Sequence, residues 1–286
     1  MKTNPDTKQG NPDEHSRRHN TKSALGGEKK DLKYIVLTIA NALLMAVWVF
    51  GCLQAAELVV KIVVTNCLSA ATLEQPTTSI VVYTAWYVIA LAMLLWINIG
   101  HIVNSRKAKD YHIISSTANR SELGLRNWPT WTDIGLSIAG FIVYFFCSAI
   151  IVTLFTNFVW FDEGQRQDTG FDPSIVGLDR IIAFLTLVVV APIMEELIFR
   201  GWLYGKMRKN FSKVFSQIAN IAISSLLVSL LFGIIHEQWN VGVDVFILSM
   251  VACIMRELTG TIHAGILLHM IKNGIAFYGI FVLGLS

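Results

Sequence analysis

The chain has 286 residues and a mass of 31.9 kDa, and 53% of its residues are hydrophobic whereas only 15% are charged. Together with a mean hydropathy of +0.54, this composition is untypical of a soluble globular protein and predicts a membrane protein. The formal net charge of +3 leaves no basic stripe for nucleic-acid binding, and four cysteines without paired spacing exclude a disulfide scaffold.

The first 33 residues contain no apolar run and combine asparagine, proline and glycine with scattered charges. Such a segment cannot bury enough apolar surface to fold alone, so we predict a disordered cytoplasmic tail. The charged residues Asp13, Glu14, Arg17 and Arg18 lie where a secretory signal peptide would have its apolar core. The first hydrophobic segment is therefore expected to remain in the mature protein.

Seven apolar stretches follow the tail, and most are close to the roughly 20 residues that a helix needs to cross a bilayer. Because backbone groups in lipid must pair with one another and no alternating strand pattern is present, we predict an all-α, polytopic bundle of about seven spanning helices. The sixth stretch is the shortest. The stretches are Tyr34–Leu53, Ser79–Val103, Ile134–Val159, Arg180 to about Tyr204, Val214–Ile235, Val241–Met255 and Ile262–Leu285.

The segment Gln54–Val64 is apolar but carries Glu57 and Lys61 one helical turn apart. It is expected either to extend the first helix or to lie at the membrane interface.

Lysine and arginine are unevenly distributed over the loops. The tail has eight, the loop after the second stretch has five and the loop after the fourth has four, whereas the intervening loops have one each or none. The positive-inside rule then predicts a cell-membrane protein with a cytoplasmic N-terminus and a C-terminus outside. The acidic loop Asp162–Asp179 is expected to face outward.

Ionisable residues inside membrane helices are costly, and they usually mark a functional site. The fourth stretch carries Glu195 and Glu196, followed by Arg200. Glu196 and Arg200 are four residues apart and share a helix face, which favours a structural ion pair. Glu195 points about 100° away, which makes it the candidate for proton transfer. Pro192, one turn earlier, is expected to kink the helix.

Two further clusters lie in the last three stretches. Phe232 and His236 are four apart at the end of the fifth, and His269 and Asn273 are four apart in the last, with Lys272 between them. Each cluster alone is equally consistent with helix packing. Together with Glu195 they supply a carboxylate base, two imidazoles and an amide donor from three helices.

A depth estimate at about 1.5 Å per residue places Glu195 and Asn273 each about 20 Å from the cytoplasmic side. His236 fits less well, because it lies roughly 33 Å from the start of the fifth helix if that helix begins at Val214 and is not tilted. That helix is therefore expected to tilt strongly or to begin in the interface.

The three ordered motifs, Glu-Glu-x-x-x-Arg, Phe-x-x-x-His and His-x-x-x-Asn, resemble those of the CPBP family, also called Abi. These are intramembrane proteases related to the type II CAAX prenyl endopeptidases and to bacterial proteins linked with bacteriocin processing and self-immunity. The resemblance covers roughly Ser121–Ala276. It divides the chain into the tail (1–33), N-terminal transmembrane helices (34–120) and a protease-like domain (121–286).

The resemblance implies a role for each motif residue. Glu195 is expected to activate water for attack on a peptide carbonyl, and His236 is expected to help hold that water. His269 and Asn273 would donate hydrogen bonds to the developing oxyanion. Glu196 and Arg200 would support the site, as inferred above from helix geometry.

The cofactor requirement is left open by these residues. Glu195, His236 and His269 can form a His/His/carboxylate zinc site with an open position, or they can act as a metal-free, glutamate-based site. Asn273 is a poor zinc ligand, which favours an oxyanion role. Lys272 and Glu237 depart from the apolar or amide neighbours that are typical of the family.

Three functions are consistent with this pattern. The first is an intramembrane endopeptidase that hydrolyses a peptide bond of a membrane-associated protein or peptide. The second is a non-proteolytic scaffold or bacteriocin-immunity protein that keeps the protease fold and binds a cell-envelope partner. A proton-coupled transporter ranks third, because the sequence shows no inverted repeat.

Overall fold

A computed structural model describes residues 12–69, 76–96, 117–162, 164–165, 169–212 and 214–285, with backbone alone for residues 12–31, Lys33 and Pro76. Of the predicted disordered tail, residues 1–33, positions 1–11 lie outside the described residues, and positions 12–33 belong to the first helix. The regular elements in the described ranges are helices, and no strand occurs there. They are α1 (Pro12–Cys67), α2 (Pro76–Trp96), α3 (Trp131–Phe155), α4 (Leu178–Phe211), α5 (Gln217–Ile234), α6 (Trp239–Thr259) and α7 (His263–Phe281).

The predicted all-α membrane bundle is confirmed. Within the described ranges, six helices are long and apolar enough to cross a membrane, namely all except α6. Many large apolar side chains point away from the bundle, among them Ile138, Phe146 and Leu154 of α3, each more than half exposed. A surface of this kind is stable only against lipid or another apolar partner.

The sixth helix is longer than predicted, at 21 residues. The predicted stretch ended before Arg256 and Glu257, yet the structure gives both side chains partners. Glu257 lies 2.6 Å from Nε of Arg208, and Arg256 donates to the carbonyls of Gly260 and Glu122. Because both charges have polar partners, the helix extends through these positions to Thr259.

The structure decides between the two alternatives for the end of the first helix and changes the start of the fifth. The segment Gln54–Val64 extends the first helix, and Glu57 and Lys61 form an exposed ion pair at 2.6 Å. The fifth helix starts at Gln217 rather than Val214, since the Ser216 side chain accepts a hydrogen bond from the backbone N–H of Ala219. Its 18 residues extend about 27 Å, and His236 lies in the turn that follows them.

Helix α4 changes register around Pro192. It is π-helical at Leu185–Val190 and at Leu197–Tyr204, with a short α-helical segment, Ala191–Glu196, between them. Proline has no N–H to donate, and π-helical segments are frequent at functional sites. The helix is thus π-helical on both sides of the segment that carries Pro192 and the two glutamates.

One end of the bundle collects the basic residues, and we call it the basic end. There Lys206 donates to the carbonyl of Thr117, Arg256 donates to the carbonyl of Glu122, and Asn210 donates to the carbonyl of Thr38. The segments that the sequence placed on one side of the membrane therefore meet in the structure. The described lysines and arginines at this end are Arg120, Arg126, Lys206, Arg208, Lys209 and Arg256.

Helices α5 and α6 approach closely at the opposite end. A Cβ added at Gly233 would lie 2.7 Å from the carbonyl oxygen of Gly242, and one added at Gly242 would lie 2.9 Å from that of Gly233. Only glycine permits this backbone contact. The contact holds both ends of the turn His236–Gln238, which joins the two helices.

Candidate functional site

The four predicted catalytic residues, Glu195, His236, His269 and Asn273, line one cavity of about 680 Å³. They reach it from α4, from the turn after α5 and from α7. Helix α2 supplies a fourth wall. The cavity therefore brings together residues that are up to 78 positions apart in the three motifs.

Glu195 is held by a tyrosine from α2. The hydroxyl of Tyr87 donates a hydrogen bond of 2.6 Å to Oε1 of Glu195. The other carboxylate oxygen, Oε2, lies 3.7 Å from Nε2 of His269, which is longer than a hydrogen bond. The side chain is 14% exposed, toward the cavity. One oxygen is thus fixed and the other faces the space between the two side chains.

Glu196 and Arg200 form the predicted ion pair. Nη1 of Arg200 lies 2.9 Å from Oε1 of Glu196, and both side chains are fully buried. The guanidinium also lies over the ring of Phe232, 4.3 Å from its centroid. Because an unpaired charge in an apolar surrounding is costly, neither Glu196 nor Arg200 is expected to be tolerated there without the other.

Phe232 explains the first position of the Phe-x-x-x-His motif. Its ring is fully buried and contacts the ring of Phe199 at 4.9 Å, that of His236 at 4.9 Å and that of His269 at 5.9 Å, measured between centroids. Phe232 therefore contacts Arg200 as well as both cavity histidines.

His236 has a defined ring orientation. Its Nδ1 lies 2.7 Å from the carbonyl oxygen of Phe232, one of the acceptors that the end of α5 leaves without a helical partner. A carbonyl can only accept, so Nδ1 carries the proton and Nε2 of the neutral ring is an acceptor. Burial lowers the pKa of His236 in this turn, although the Glu195 carboxylate opposes the effect. The neutral ring is thereby favoured.

His269 lies between the two glutamates. Its Nδ1 is 3.4 Å from Oε1 of Glu196, and its Nε2 is the atom that faces Glu195. The ring is almost fully buried. It connects the cavity carboxylate with the buried pair formed by Glu196 and Arg200.

Gly265 makes room for Glu196. It lies one helical turn before His269 on α7, and a Cβ added there would lie 2.9 Å from Oε2 of Glu196 and 3.5 Å from Cβ of Ala252. A larger residue would force the carboxylate out of its position beneath His269. Nothing in the sequence pattern identified this glycine as part of the site.

Asn273 satisfies a carbonyl that Pro192 leaves without a donor. In the π-helical register the N–H of Ala191 donates to the carbonyl of Thr186, five residues earlier. In that register the carbonyl of Leu187 would pair with residue 192, which is proline. Nδ2 of Asn273 donates to this carbonyl at 2.9 Å. Asn273 thus holds α7 against the widened part of α4, and its second amide hydrogen remains for the cavity.

Lys272 belongs to a polar network at the cavity wall. Its partner Asp244 accepts hydrogen bonds from the hydroxyls of Tyr144 at 2.7 Å and Ser148 at 2.6 Å. The network joins α3, α6 and α7. It accounts for a lysine where the family resemblance implies an apolar or amide residue.

The predicted zinc ligands do not fit a metal site in this arrangement. Across the described part of the chain, no group of three His, Cys, Asp or Glu side chains is placed so that it could hold a metal ion. Glu195 and His269 lie close together, and because Nδ1 of His236 contacts the Phe232 carbonyl, only Nε2 of that ring would be left for a metal. The alternative with three metal ligands, Glu195, His236 and His269, is not supported by this geometry.

Sequence reasoning missed Tyr87, which is the nearest partner of Glu195. It is 108 residues away in the chain and lies in an apolar stretch, where a tyrosine is typical of the membrane–water interface. Trp86 fixes this part of α2, because its Nε1 donates to the carbonyl of Leu53 on α1. The sequence contains no signal that pairs Tyr87 with Glu195.

Comparison with known proteins supports the resemblance inferred from the motifs. Residues 177–275 match the family described as type II CAAX prenyl endopeptidase Rce1-like, which covers about a third of the chain. No curated protein and no solved structure matches the chain. The matched segment contains Glu195, His236, His269 and Asn273, whereas Tyr87 lies outside it. This segment is therefore related to the type II CAAX prenyl endopeptidases.

Proposed function

We propose that the protein is an intramembrane endopeptidase that hydrolyses a peptide bond of a membrane-associated protein or peptide with a water molecule activated by Glu195. The observation that carries the proposal is the convergence of Glu195, His236, His269 and Asn273 on one cavity. The match of residues 177–275 to a family of endopeptidases supports it independently.

The proposed reaction uses the groups in the order that their geometry suggests. Nε2 of His236 accepts a hydrogen bond from the water, and Oε2 of Glu195 takes a proton from it. The water oxygen bonds to the scissile carbonyl carbon, and the carbonyl oxygen becomes an oxyanion that the free amide hydrogen of Asn273 and the ring of His269 stabilise. The C–N bond then breaks, and Glu195 returns its proton to the leaving nitrogen.

The proposal includes a cell-membrane location with a cytoplasmic N-terminus. The basic end supports this orientation, since six described lysines and arginines lie there and positively charged loops remain on the cytoplasmic side. Residues 1–33, with eight more, precede the part of α1 that contacts this end through Thr38.

We expect the purified protein in detergent to cleave a membrane-associated peptide, and we expect His236→Ala to reduce kcat by about 10²-fold or more through loss of the water acceptor. Product formation is measured by mass spectrometry. His263→Ala is the matched control, because His263 makes an equal contact of 2.7 Å to a backbone carbonyl, that of Asn127, away from the cavity. Equal turnover of the two variants would exclude His236 as a catalytic residue, whereas absence of cleavage by the unaltered protein would argue for the non-proteolytic scaffold.

Tyr87 is proposed as a positioning residue for Glu195. Tyr87→Phe removes the hydroxyl and keeps the ring, so we expect kcat to fall about tenfold while KM stays the same, the equivalent of one hydrogen bond to a charged group. Tyr204→Phe is the control, because it removes a buried hydroxyl that donates to Glu257 at 3.0 Å near the basic end. A rise in KM with unchanged kcat would place Tyr87 in substrate binding instead.

A further inference from the structure

The cavity extends from Glu195 toward only one end of the bundle. On α4 its lining residues run from Glu195 back to Thr186, and on α7 they run from His269 forward to Phe281. The turn His236–Gln238 and Gly170 complete the wall. All these groups lie on the side of Glu195 that is remote from the basic end.

That remote end is acidic, and contacts between its loops define it. Nδ2 of Asn240 donates to the carbonyl of Gln165 at 2.7 Å, and the ring of Phe171 stacks on Tyr83 at 6.3 Å. We call it the acidic end. Its described carboxylates are Asp162, Asp172, Asp179 and Glu237.

The helix directions agree with this assignment. Helix α7 begins beside the basic end, where the backbone N–H of Ile262 donates to the carbonyl of Gly124 at 3.2 Å, and it ends at Phe281 in the cavity wall. Helix α4 runs the opposite way, from the acidic end to Lys206 and Lys209. The catalytic groups therefore lie near the middle of both helices, and the cavity occupies the half of the bundle beyond them.

From this geometry we infer that the cavity opens on the face of the membrane opposite the cytoplasm and that its substrate is a peptide or a juxtamembrane segment presented on that face. The basic end faces the cytoplasm by the positive-inside rule, and the cavity opens away from it. The nature of the substrate rests on the proposed function, whereas the direction of the opening rests on the cavity lining and the charges alone.

Cysteine labelling tests the direction. In a background without Cys52, Cys67, Cys147 and Cys253, Glu237→Cys places a thiol on an exposed residue of the cavity wall, and Lys209→Cys places one at the basic end, where the lysine is 62% exposed. With a membrane-impermeant maleimide, we expect Glu237→Cys to react in intact cells. Lys209→Cys should react only after permeabilisation. Any other pattern overturns the inference.

A second experiment tests the side on which the substrate is cleaved. Right-side-out membrane vesicles should cleave a peptide added outside, whereas inverted vesicles should do so at least tenfold more slowly unless detergent is added. Preferential cleavage by inverted vesicles overturns the inference. If neither preparation cleaves the peptide with or without detergent, the proposed function fails, and the maleimide labelling still decides which way the cavity opens.

Discussion

Glu195→Gln is expected to reduce kcat by about 10²–10⁴-fold, the range that a positioned general base contributes. Glutamine keeps the size of the side chain and can still accept from the hydroxyl of Tyr87, which donates to Oε1 at 2.6 Å. It cannot take a proton from water. The loss should therefore appear in kcat with little change in KM, and steady-state cleavage of one peptide in detergent measures both.

The matched control for this variant is Glu237→Gln. Glu237 also lines the cavity, but it is exposed in the turn between α5 and α6 and has no place in the proposed reaction. We expect its activity to stay within about threefold of the natural protein, since the substitution changes only an exposed charge that takes no part in the proposed reaction. If Glu195→Gln kept a tenth or more of the natural activity while remaining folded, Glu195 would not be the base.

The sequence was sufficient for the helices, because spanning segments need long apolar runs and the hydropathy pattern reports these directly. It was also sufficient for the pair Glu196 and Arg200, since residues four apart on one helix meet whatever the tertiary structure is. The end of α6 was not predicted, because it depends on tertiary contacts. Its charges are tolerated only through partners on other helices, as for Glu257 with Arg208.

The ring orientation of His236 could not be predicted from the spacing of the motifs. Whether a histidine nitrogen faces a neighbouring carboxylate depends on which acceptor holds the other nitrogen. Here the end of α5 leaves the Phe232 carbonyl without a helical donor, and Nδ1 of His236 donates a hydrogen bond to it. The same limit applies to Asn273, whose contact with Leu187 follows from a π-helical register that no periodicity in the sequence reports.

The buried pair of Glu196 and Arg200 gives the largest expected effect on stability. Removing one partner, as in Arg200→Met, leaves an uncompensated carboxylate in a fully buried position, and we expect the free energy of unfolding to fall by about 3–5 kcal/mol. Unfolding in detergent by urea, followed by tryptophan fluorescence, measures the change.

The exposed pair Glu57 and Lys61 is the matched control, because it has the same i,i+4 spacing on α1. Lys61→Met should cost no more than about 1 kcal/mol, since water and lipid headgroups solvate the remaining carboxylate. If Arg200→Met lowers the free energy of unfolding more than Lys61→Met does, the difference therefore reports the effect of burial rather than the loss of an ion pair.

The double variant Glu196→Met/Arg200→Met separates charge from packing. If the single variant is unstable because a lone charge is buried, removing the second charge should recover most of the loss, as apolar replacements of buried ion pairs do elsewhere. If the double variant is as unstable as the single one, the shape of the Arg200 side chain over the Phe232 ring would be the larger contribution. A stable double variant would still lack the carboxylate beneath His269, where Nδ1 lies 3.4 Å from Glu196. We therefore expect it to be folded but slower in catalysis, which would show that the pair supports the site as well as the fold.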